Sequence, residues 1–477
     1  IRERTKVAEQ AVAYYEAVVY QQLGQAPHWE NLPSLFPSEA NLALLPRQTY
    51  HYTQDWIRDC QLEDFNYVQV LWEDNNSSSD ISTIKGTRQP TKIDTDTVRQ
   101  NPRPDCGGVN CNTCMTKLIK HFQPLQIGKN AYQCSFEKVP PIKSPRPFVV
   151  TIPEGRTWIA PQQNSWIICN ALAVITPDNY LLGDLSRDYP WFLPECPYQE
   201  RKDNTIFSLE KISSVEKIAG KTALLSSLAG HVYYHWMFDI IPRIELIKRS
   251  GINLGEIDWF IVNSQSKSYQ QETLKILGIP PAKIIESDRH NHIQATELIV
   301  PSFPGYLDWI PEGTIRFLRQ TFLPQINLAQ KNAGKKIYIS RARAKNRHLV
   351  NESEVSNLLD SQGFQTIFLE EMSVLEQVAI FANAEIIIAP HGSGLTNLVF
   401  CSPDTKVIEL FSPNYVRTDY WMISQQLQLL HYYVIGQSFD CLPLRSLMYQ
   451  NALTEDILVN ISALKLVLEH IHSRVMS

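Results

Sequence analysis

The chain has 477 residues, of which 44% are hydrophobic and 19% are charged, and its net charge is −5. A chain of this length can bury several cores, so two or three domains are expected. The acidic balance gives no reason to expect nucleic-acid binding, which normally shows as a basic domain. No apolar stretch reaches the roughly 18 residues that a membrane-spanning helix needs, so no transmembrane segment is predicted.

Residues 1–50 are predicted to form a helical segment, because Val7, Ala11, Tyr14 and Val18 lie near one helical face. The pattern resembles half of a tetratricopeptide repeat, and an ordinary amphipathic helix explains it equally well. This segment is the candidate surface for a protein partner.

Residues 51–150 have loop compositions, with a polar run at 73–80 and many Pro, Arg, Thr and Asp residues at 87–104. They are predicted to be an irregular region that carries four of the nine cysteines: Cys106, Cys111, Cys114 and Cys134. Zinc would hold four such thiolates tetrahedrally. The spacing also matches the start of a plant-type iron–sulfur site, and disulfides are a third interpretation if the protein is exported. Structural zinc or disulfides are favoured over an iron–sulfur cluster.

The odd number of cysteines argues against a complete disulfide framework, and the remaining five are scattered along the chain. Such isolated cysteines usually serve as small buried apolar residues. A reducing compartment is therefore expected, with a cytoplasmic location that is either free or peripheral to a membrane.

The predicted elements of residues 151–330 begin as short strands and then alternate between strands and helices. Strands are predicted at 158–160, 165–175, 180–182, 222–225, 259–262 and 298–300, and helices at 233–248, 269–277 and 312–322. The alternation from residue 222 onward predicts a parallel sheet with helices on its faces.

A second alternating series fills residues 331–477. Strands are predicted at 336–340, 365–369, 385–389 and 406–410, and helices at 352–361, 374–382, 394–400, 420–427 and 455–475. The fold class is therefore α/β, with two Rossmann-like domains facing a cleft. Open sheets of this kind bind ligands outside the carboxyl ends of their strands.

A buried strand at 386–390 runs into His391-Gly-Ser-Gly-Leu-Thr-Asn397. Glycines at such a turn allow close approach of a ligand, and free amides at the start of a helix favour a phosphate. The predicted ligand contacts are His391, Gly392, Ser393, Gly394 and Asn397. A purely structural strand–turn–helix junction, capped by Ser393, is the alternative.

Four cations follow directly on the strand at 336–340, at Arg341, Arg343, Lys345 and Arg347. Arginine binds phosphate oxygens with two parallel hydrogen bonds, so Arg341 and Arg347 are predicted to hold an anionic ligand. A solvated basic loop is the alternative. Glu409 ends the strand at 406–410 and is predicted to accept hydrogen bonds from ribose hydroxyls. An exposed carboxylate without a ligand would fit that position as well.

His231, His235 and Asp239 have i, i+4, i+8 spacing, which brings them near one face of a helix. Asp239 is predicted to act as a catalytic base, with His235 as a partner that orients it or serves in its place. The same spacing fits a zinc site or an ordinary helix with some polar exposed positions. The base is favoured, and the metal ranks last.

Together these residues resemble glycosyltransferase family 61, which includes bacterial capsular polysaccharide enzymes, plant xylosyl- and arabinosyltransferases and animal O-linked N-acetylglucosaminyltransferases. Three blocks carry the resemblance in the family's order: 234–243, then 337–341 with Arg347 and 351–352, then 391–397 with 407–409. The family does not account for residues 1–50 or for the cysteine-containing region.

The resemblance implies a GT-B-like fold, a nucleotide-sugar donor that is commonly a UDP-sugar, inversion at the anomeric carbon and no cofactor or metal required for catalysis. It also implies that the Arg341 and His391 blocks form the donor site and that Asp239 lies on the acceptor side. The expected acceptor is a glycan or a protein hydroxyl. A sugar-nucleotide epimerase on the same scaffold and a non-catalytic glycan- or protein-binding module are the alternatives.

Overall fold

The computed structural model describes residues 44–60, 66–70, 83–85, 124–134, 146–161, 171–188, 204–305, 310–326, 336–438, 445, 447–449 and 452–475. Of the helical segment predicted for residues 1–50, residues 1–43 lie outside the described residues. The prediction is wrong for residues 44–50, which contain no helix and end in a strand at Thr49–Tyr50. The chain divides into two compact units, residues 1–45 with 209–212 and residues 46–208 with 213–477. The second unit contains all helices and strands described below.

The first sheet is mixed and has twelve strands. Numbered in chain order, its strands are β1 (Thr49–Tyr50), β2 (Asn66–Gln69), β3 (Thr83–Lys85), β6 (Phe148–Pro153), β7 (Arg156–Ile159), β8 (Ala171–Ile175), β9 (Leu181–Leu182), β10 (Arg187–Asp188), β11 (Glu216–Leu224), β12 (Trp259–Val262), β13 (Ile284–Glu286) and β14 (His292–Pro301). They lie in the order β1-β9-β8-β7-β14-β11-β12-β13, with β10, β2, β3 and β6 attached beside this path. Four neighbours, β14, β11, β12 and β13, run parallel as the sequence predicts, whereas β6, β7 and β8 are antiparallel additions.

The second sheet has seven strands: β4 (Leu125–Gly128), β5 (Ala131–Gln133), β15 (Lys336–Ile339), β16 (Gln365–Ile367), β17 (Ile386–Pro390), β18 (Lys406–Phe411) and β19 (Leu430–Ile435). They lie in the order β16-β15-β17-β18-β19-β5-β4, and the first five of these run parallel. The antiparallel hairpin β4–β5 adds to the edge strand β19.

Several described elements therefore lie within residues 51–150, which the sequence analysis predicts to be irregular. That prediction is wrong for the residues of β2, β3, β4, β5 and β6 and for a helix at Thr53–Asp59. The strands β2, β5 and β6 form because they gain hydrogen bonds from strands that are distant in the sequence. The domain boundaries as a whole stay a prediction.

The helices cover the sheets largely where the periodicity predicts them. They are α1 (Thr53–Asp59), α2 (Tyr233–His235), α3 (Pro242–Arg249), α4 (Ser268–Ile276), α5 (Glu312–Phe322), α6 (Glu352–Ser361), α7 (Val374–Asn383), α8 (Asp419–Gln426) and α9 (Ile461–Val475). A π-helical segment, Trp236–Ile240, joins α2 to α3. Single 3₁₀ segments are Thr205–Ser208, Leu254–Glu256, Pro281–Lys283, Leu323–Gln325, Leu369–Glu371, Ser393–Phe400 and Ala452–Thr454.

Local signals account for many of these boundaries. Ser373 and Glu376 form a capping box that starts α7. Gly363, with φ of 79°, ends the turn after α6 in the left-handed region. The final helix is shorter than predicted, since Ile457 and Leu458 make β-bridges to Leu349 and Gln437 instead of continuing a helix.

One apolar cluster is shared by the facing sides of the two sheets, while separate clusters fill the outer side of each sheet. The shared cluster includes Leu225, Ile244 and Phe260 from the first sheet region and Ile387, Leu398 and Val399 from the second. Glu272 of α4 also accepts hydrogen bonds from the backbone amides of Val374 and Leu375, at the start of α7. The carboxyl ends of both sets of parallel strands are thus held in one packed unit.

Candidate functional site

The first half of the site is a histidine–carboxylate pair on the π-helical segment. The backbone amide of Ile241 bonds the carbonyl of Trp236, five residues earlier, which widens the helix by one residue at this turn. Nδ1 of His235 lies 2.7 Å from Oδ2 of Asp239. The side chain of Asp239 is 9% exposed and that of His235 is 17% exposed. The imidazole is therefore the member of the pair that a substrate reaches more easily.

His235 and two arginines lower the pKa of Asp239. Burial alone would raise the pKa of Asp239, but the hydrogen bond and charge of His235, together with Arg187 and Arg243, outweigh it and hold the pKa of this carboxyl below its ordinary value. Both guanidinium groups lie against the ring of Phe303, at 3.4 and 4.8 Å from its centre. Asp239 is therefore an ionised carboxylate that accepts a hydrogen bond from His235.

His231 does not join this pair. The helix begins only at Tyr233, and Nε2 of His231 lies 3.0 Å from Oδ2 of Asp288 in the loop after β13. The predicted common face of His231, His235 and Asp239 is therefore wrong, and the zinc interpretation loses its third ligand. Over the part of the chain that the structure describes, no group of three or more His, Cys, Asp and Glu residues is arranged to hold a metal ion.

The second half of the site is a buried hydrogen-bonded row that crosses the neighbouring strands β17, β18 and β19. Nδ1 of His391 lies 2.5 Å from Oε1 of Glu409, and Nε2 of His431 lies 3.1 Å from Oε2 of the same carboxyl group. Nδ1 of His431 lies 2.8 Å from Oγ of Ser424. His391, Glu409 and His431 are 4%, 1% and 1% exposed.

This arrangement gives Glu409 a different place from the one predicted. A strand-end carboxylate was expected to meet ribose hydroxyls, but both of its oxygens face histidines in the interior. Burial raises the pKa of Glu409 well above its ordinary value, and Asp419 adds to the shift. Burial and the nearby arginines hold the pKa of His391 well below its ordinary value. The row is therefore neutral at its centre.

Three arginines surround His391: Arg347, Arg417 and Arg341 all act on it electrostatically. Nε and Nη2 of Arg341 donate hydrogen bonds to the carbonyl of Asn346, and burial and Arg347 lower the pKa of Arg341 to about 10, so it stays charged at neutral pH. Arg347 has φ of 60° and donates to the carbonyl of Leu453. The predicted pair Arg341 and Arg347 is brought together at one end of the sheet.

The glycines of the turn after β17 avoid steric clashes that the sequence does not reveal. A Cβ on Gly392 would collide with Nη1 of Arg341, so this glycine makes room for the guanidinium group. A Cβ on Gly394 would meet Leu369. Ser393 is half-buried and its hydroxyl makes no capping hydrogen bond to the 3₁₀ segment, which removes the capping interpretation.

Asn397 is fully buried and links the helices of the first sheet region to those of the second. Its Oδ1 accepts a hydrogen bond of 2.8 Å from the Tyr233 hydroxyl at the start of α2, and its Nδ2 donates to Gln377 in α7. The side chain is thus used between the two sheets, and the predicted contact of Asn397 with a ligand has no support from its surroundings.

Aromatic rings connect the two histidine–carboxylate pairs. The ring of Tyr420 lies 5.2 Å from that of His391 and 5.9 Å from that of Tyr234, which in turn lies 5.1 Å from that of His235. The two pairs therefore face each other across two tyrosines.

Four residues of this site are not predicted from the sequence: Tyr415, Arg417, Tyr420 and His431. Arg417 lies in a loop with no charge run to mark it, and its guanidinium lies 5.9 Å from the ring of Tyr415 and bonds Asp419. His431 lies on β19, a strand that was not predicted. The run of aromatic and β-branched residues in Leu430-His-Tyr-Tyr-Val-Ile435, directly after a helix, was the available signal.

The predicted cysteine cluster lies mostly outside the described residues. Cys106, Cys111 and Cys114 lie outside the described residues, so structural zinc stays a prediction. Cys134 is buried beside β19, and burial raises the pKa of its thiol well above the ordinary value. Among the residues that the structure describes, Cys134 and Cys401 are free thiols.

The packed α/β sheets place three arginines around His391, with the His235–Asp239 pair facing them across two tyrosines. Residues 233–408 match the family model Glycosyltransferase 61. This region, which includes both His235 and His391, belongs to that family, as the sequence motifs predict. The chain carries a glycosyltransferase region.

Three curated proteins align with parts of the chain. A beta-1,2-xylosyltransferase of Oryza sativa subsp. japonica is 41% identical over 65 residues, 14% of this chain and 12% of that protein. A protein O-linked-mannose beta-1,4-N-acetylglucosaminyltransferase 2 of Canis lupus familiaris is 27% identical over 162 residues, 33% of this chain and 27% of that protein. An EGF domain-specific O-linked N-acetylglucosamine transferase of Drosophila melanogaster is 32% identical over 106 residues, 21% of this chain and 20% of that protein. The chain thus spans at most 27% of the length of these relatives.

Among solved structures, the iron-containing dodecameric glycosyltransferase TibC of enterotoxigenic E. coli aligns at 11% identity with a TM-score of 0.23, over 64% of this chain and 86% of that chain. The described helices include none that is long and apolar enough to cross a bilayer.

Proposed function

We propose that the protein is an inverting glycosyltransferase that moves a sugar from a nucleotide-sugar donor, a UDP-sugar, to a hydroxyl of a glycan or protein acceptor. The observation that carries the proposal is the convergence of Arg341, Arg347 and Arg417 around His391 at the carboxyl ends of parallel strands. Ligands of open α/β sheets bind at this edge, and a departing diphosphate requires fixed positive charge. The two sheets would serve as the two Rossmann-like halves of a GT-B-like enzyme.

The acceptor side of the reaction is assigned to the His235–Asp239 pair. Transfer requires a group that takes the proton of the attacking hydroxyl. Asp239 is buried and its pKa is lowered, which makes it a weak base and a good partner for Nδ1–H of His235. Nε2 of His235 then presents its lone pair to the acceptor. This assignment exchanges the roles predicted from the sequence: His235 is the base, and Asp239 orients it.

The transfer is proposed to need no metal ion, because the arginines supply the positive charge that a divalent cation would otherwise supply. Activity is expected to survive EDTA. Loss with EDTA and recovery with manganese or magnesium would contradict this, provided that circular dichroism shows no unfolding. That control is needed because removal of zinc from the cysteine region would also abolish activity.

The central test uses two arginines of one loop. Arg341→Ala is expected to weaken UDP binding by about 1.5–3 kcal/mol, the range for hydrogen bonds to charged groups. Arg343 is the matched control: its side chain is 49% exposed, and it pairs with Glu371 outside the pocket. Arg343→Ala is therefore expected to leave the affinity unchanged. Isothermal titration with UDP measures both variants.

The donor sugar is sought by thermal shift, because a ligand that binds the folded state raises the unfolding midpoint by mass action. UDP-xylose and UDP-N-acetylglucosamine are tested first, as the names of the aligned relatives indicate these sugars. Release of UDP with an added acceptor supports transfer. Isomerisation of the donor would indicate an epimerase, and binding without turnover a binding module. Equal UDP affinity in Arg341→Ala and wild type would remove the pocket from the donor site.

A further inference from the structure

The row formed by Ser424, His431, Glu409 and His391 is longer than a donor-binding histidine needs. It crosses three neighbouring strands with hydrogen-bond distances of 2.8, 3.1 and 2.5 Å, and each of its four members is at least nine-tenths buried. Among the described residues, no hydrogen bond reaches Nε2 of His391, the ring nitrogen at the end of the row. The other ring nitrogen of His391, Nδ1, makes the hydrogen bond that connects it to the row.

The order of donors along the row follows from what each group can do. Among the described residues, the Ser424 hydroxyl has no hydrogen-bond partner besides Nδ1 of His431, so it donates there and puts the proton of this neutral imidazole on Nε2. Nε2–H then donates to Oε2 of Glu409. A neutral carboxylic acid has one hydroxyl, and with Oε2 used as an acceptor its proton lies on Oε1, facing Nδ1 of His391. Nδ1 accepts, so the proton of His391 lies on Nε2.

The surroundings favour this neutral order over an ion pair. The groups that face His391 are Glu409 on β18, the aromatic rings of Phe411, Tyr415 and Tyr420, and the guanidinium groups of Arg341, Arg347 and Arg417. Three cations disfavour an imidazolium, and Asp419 on the far side disfavours a carboxylate at Glu409. A buried ion pair would have to overcome both effects.

We propose that Ser424, His431 and Glu409 form a directional hydrogen-bond chain that locks His391 in the tautomer with Nε2–H toward the donor site, where this N–H binds a phosphate oxygen of the nucleotide. The three are positioning residues, and His391 is the group that touches the ligand. The proposal rests on the proposed function for the identity of the ligand. The tautomer itself is independent of it.

The tautomer is measured directly by nitrogen NMR of protein labelled with ¹⁵N-histidine, with His391 assigned by comparison with His391→Gln. The expected spectrum of the free protein at neutral pH has a protonated Nε2 and an unprotonated Nδ1. Protonation of Nδ1, in the other tautomer or in an imidazolium, would overturn the proposal even if the protein transfers sugar. This readout needs no substrate.

Binding of UDP separates positioning from stability. Glu409→Gln keeps an N–H donor toward Nδ1 of His391 and an acceptor toward His431, so it is expected to retain the affinity within about threefold. Glu409→Met has a similar volume but no donor, so it is expected to lose about tenfold, the value of one hydrogen bond. His431→Leu is expected to lose about threefold, because it acts one residue further away.

His292→Leu is the matched control for removal of a buried histidine, since His292 is 1% exposed in the first sheet and bonds the carbonyl of Ser213. It is expected to lower the unfolding midpoint without changing UDP affinity. Equal affinity of the Gln and Met variants at Glu409 would overturn the chain and leave the glycosyltransferase proposal intact. If wild type binds neither UDP nor any sugar nucleotide, the proposed function fails, and the ligand part of this inference fails with it.

Discussion

The molecule contains two histidine–carboxylate pairs, His235–Asp239 and His391–Glu409, with N···O distances of 2.7 and 2.5 Å. The first carboxyl has a lowered pKa, because a histidine and two arginines face it. The second has a raised pKa, because it is buried and an aspartate lies nearby. The opposite pKa shifts of the two carboxyl groups show that the neighbours of a histidine–carboxylate pair determine its charge state, because the residue types of the two pairs are so similar.

Opposite charge states give the two imidazoles opposite roles. An ionised Asp239 accepts Nδ1–H of His235 and leaves a lone pair on Nε2, which is the form of a base. A protonated Glu409 donates to Nδ1 of His391 and leaves Nε2–H, which is the form of a phosphate binder. The enzyme would thus use one kind of pair on each side of its transfer reaction, and each pair can be broken separately.

The largest expected effect comes from the first pair. His235→Ala is expected to lower kcat by about a hundred- to ten-thousand-fold, the usual cost of losing a general base. Added imidazole should restore part of the rate, because it supplies the missing base, whereas Asp239→Asn should be slow and not rescued. Initial rates of UDP release at saturating donor measure both variants.

His231→Gln is the control for this test, since His231 pairs with Asp288 and lies outside the pair. Its rate is expected to stay within about threefold of wild type, because a substitution away from the reacting groups has a small effect. If His235→Ala retains more than a tenth of the rate while Asp239→Asn is severely impaired, the carboxylate is the base, as the sequence alone predicts.

A smaller effect tests the charge states through the pH dependence of stability. Because the pKa of folded Glu409 is raised, the unfolded state loses its proton first as pH rises above the ordinary value, and the carboxyl then destabilises the fold. Wild type should therefore lose stability relative to Glu409→Gln between pH 5 and 7, by about 1.4 kcal/mol per unit at most. Urea unfolding of both proteins across this range measures the difference.

The His235–Asp239 pair is expected to change stability with pH in the opposite direction. The pKa of folded Asp239 is lowered, so its contribution to stability is complete above the ordinary pKa and is lost only as pH falls below it. The difference between wild type and Asp239→Asn should therefore be constant from pH 5 to 7. A parallel decline for both pairs would show that their charge states are alike.

Much of this comparison could be predicted from the sequence, because parallel strands that are buried on both faces appear as apolar runs. The runs at Trp259–Val262 and Ile386–Pro390 gave two strands of the parallel sheets and the turn that holds His391. Histidine and aspartate four residues apart indicated the first pair, and the cations after β15 indicated the anion pocket. Each of these signals is local.

The missed features depend on contacts between distant residues. Glu409 was predicted to bind ribose hydroxyls, because its actual partner His431 lies 22 residues further along the chain, on an unpredicted strand. Gly392 was interpreted as making room for a ligand, but the guanidinium of Arg341 occupies that place. The π-helical turn at Trp236–Ile240 adds one residue to a helix, and apolar spacing does not encode this insertion.

The smallest expected effect concerns the link that holds the two pairs in register. The hydroxyl of Tyr233, two residues before His235, donates 2.8 Å to Oδ1 of Asn397, six residues after His391. Tyr233→Phe leaves this buried amide oxygen without that donor, which costs about 1–2 kcal/mol of unfolding free energy.

Tyr269→Phe, which removes a hydroxyl bonded to the carbonyl of His231 within the first half, is the control for loss of a tyrosine hydrogen bond. Both variants should be destabilised in urea, but only Tyr233→Phe is expected to lower kcat, by about threefold, because a small shift between the halves moves base and donor apart. Equal kcat in the two variants would mean that the shared apolar core alone keeps the pairs in position.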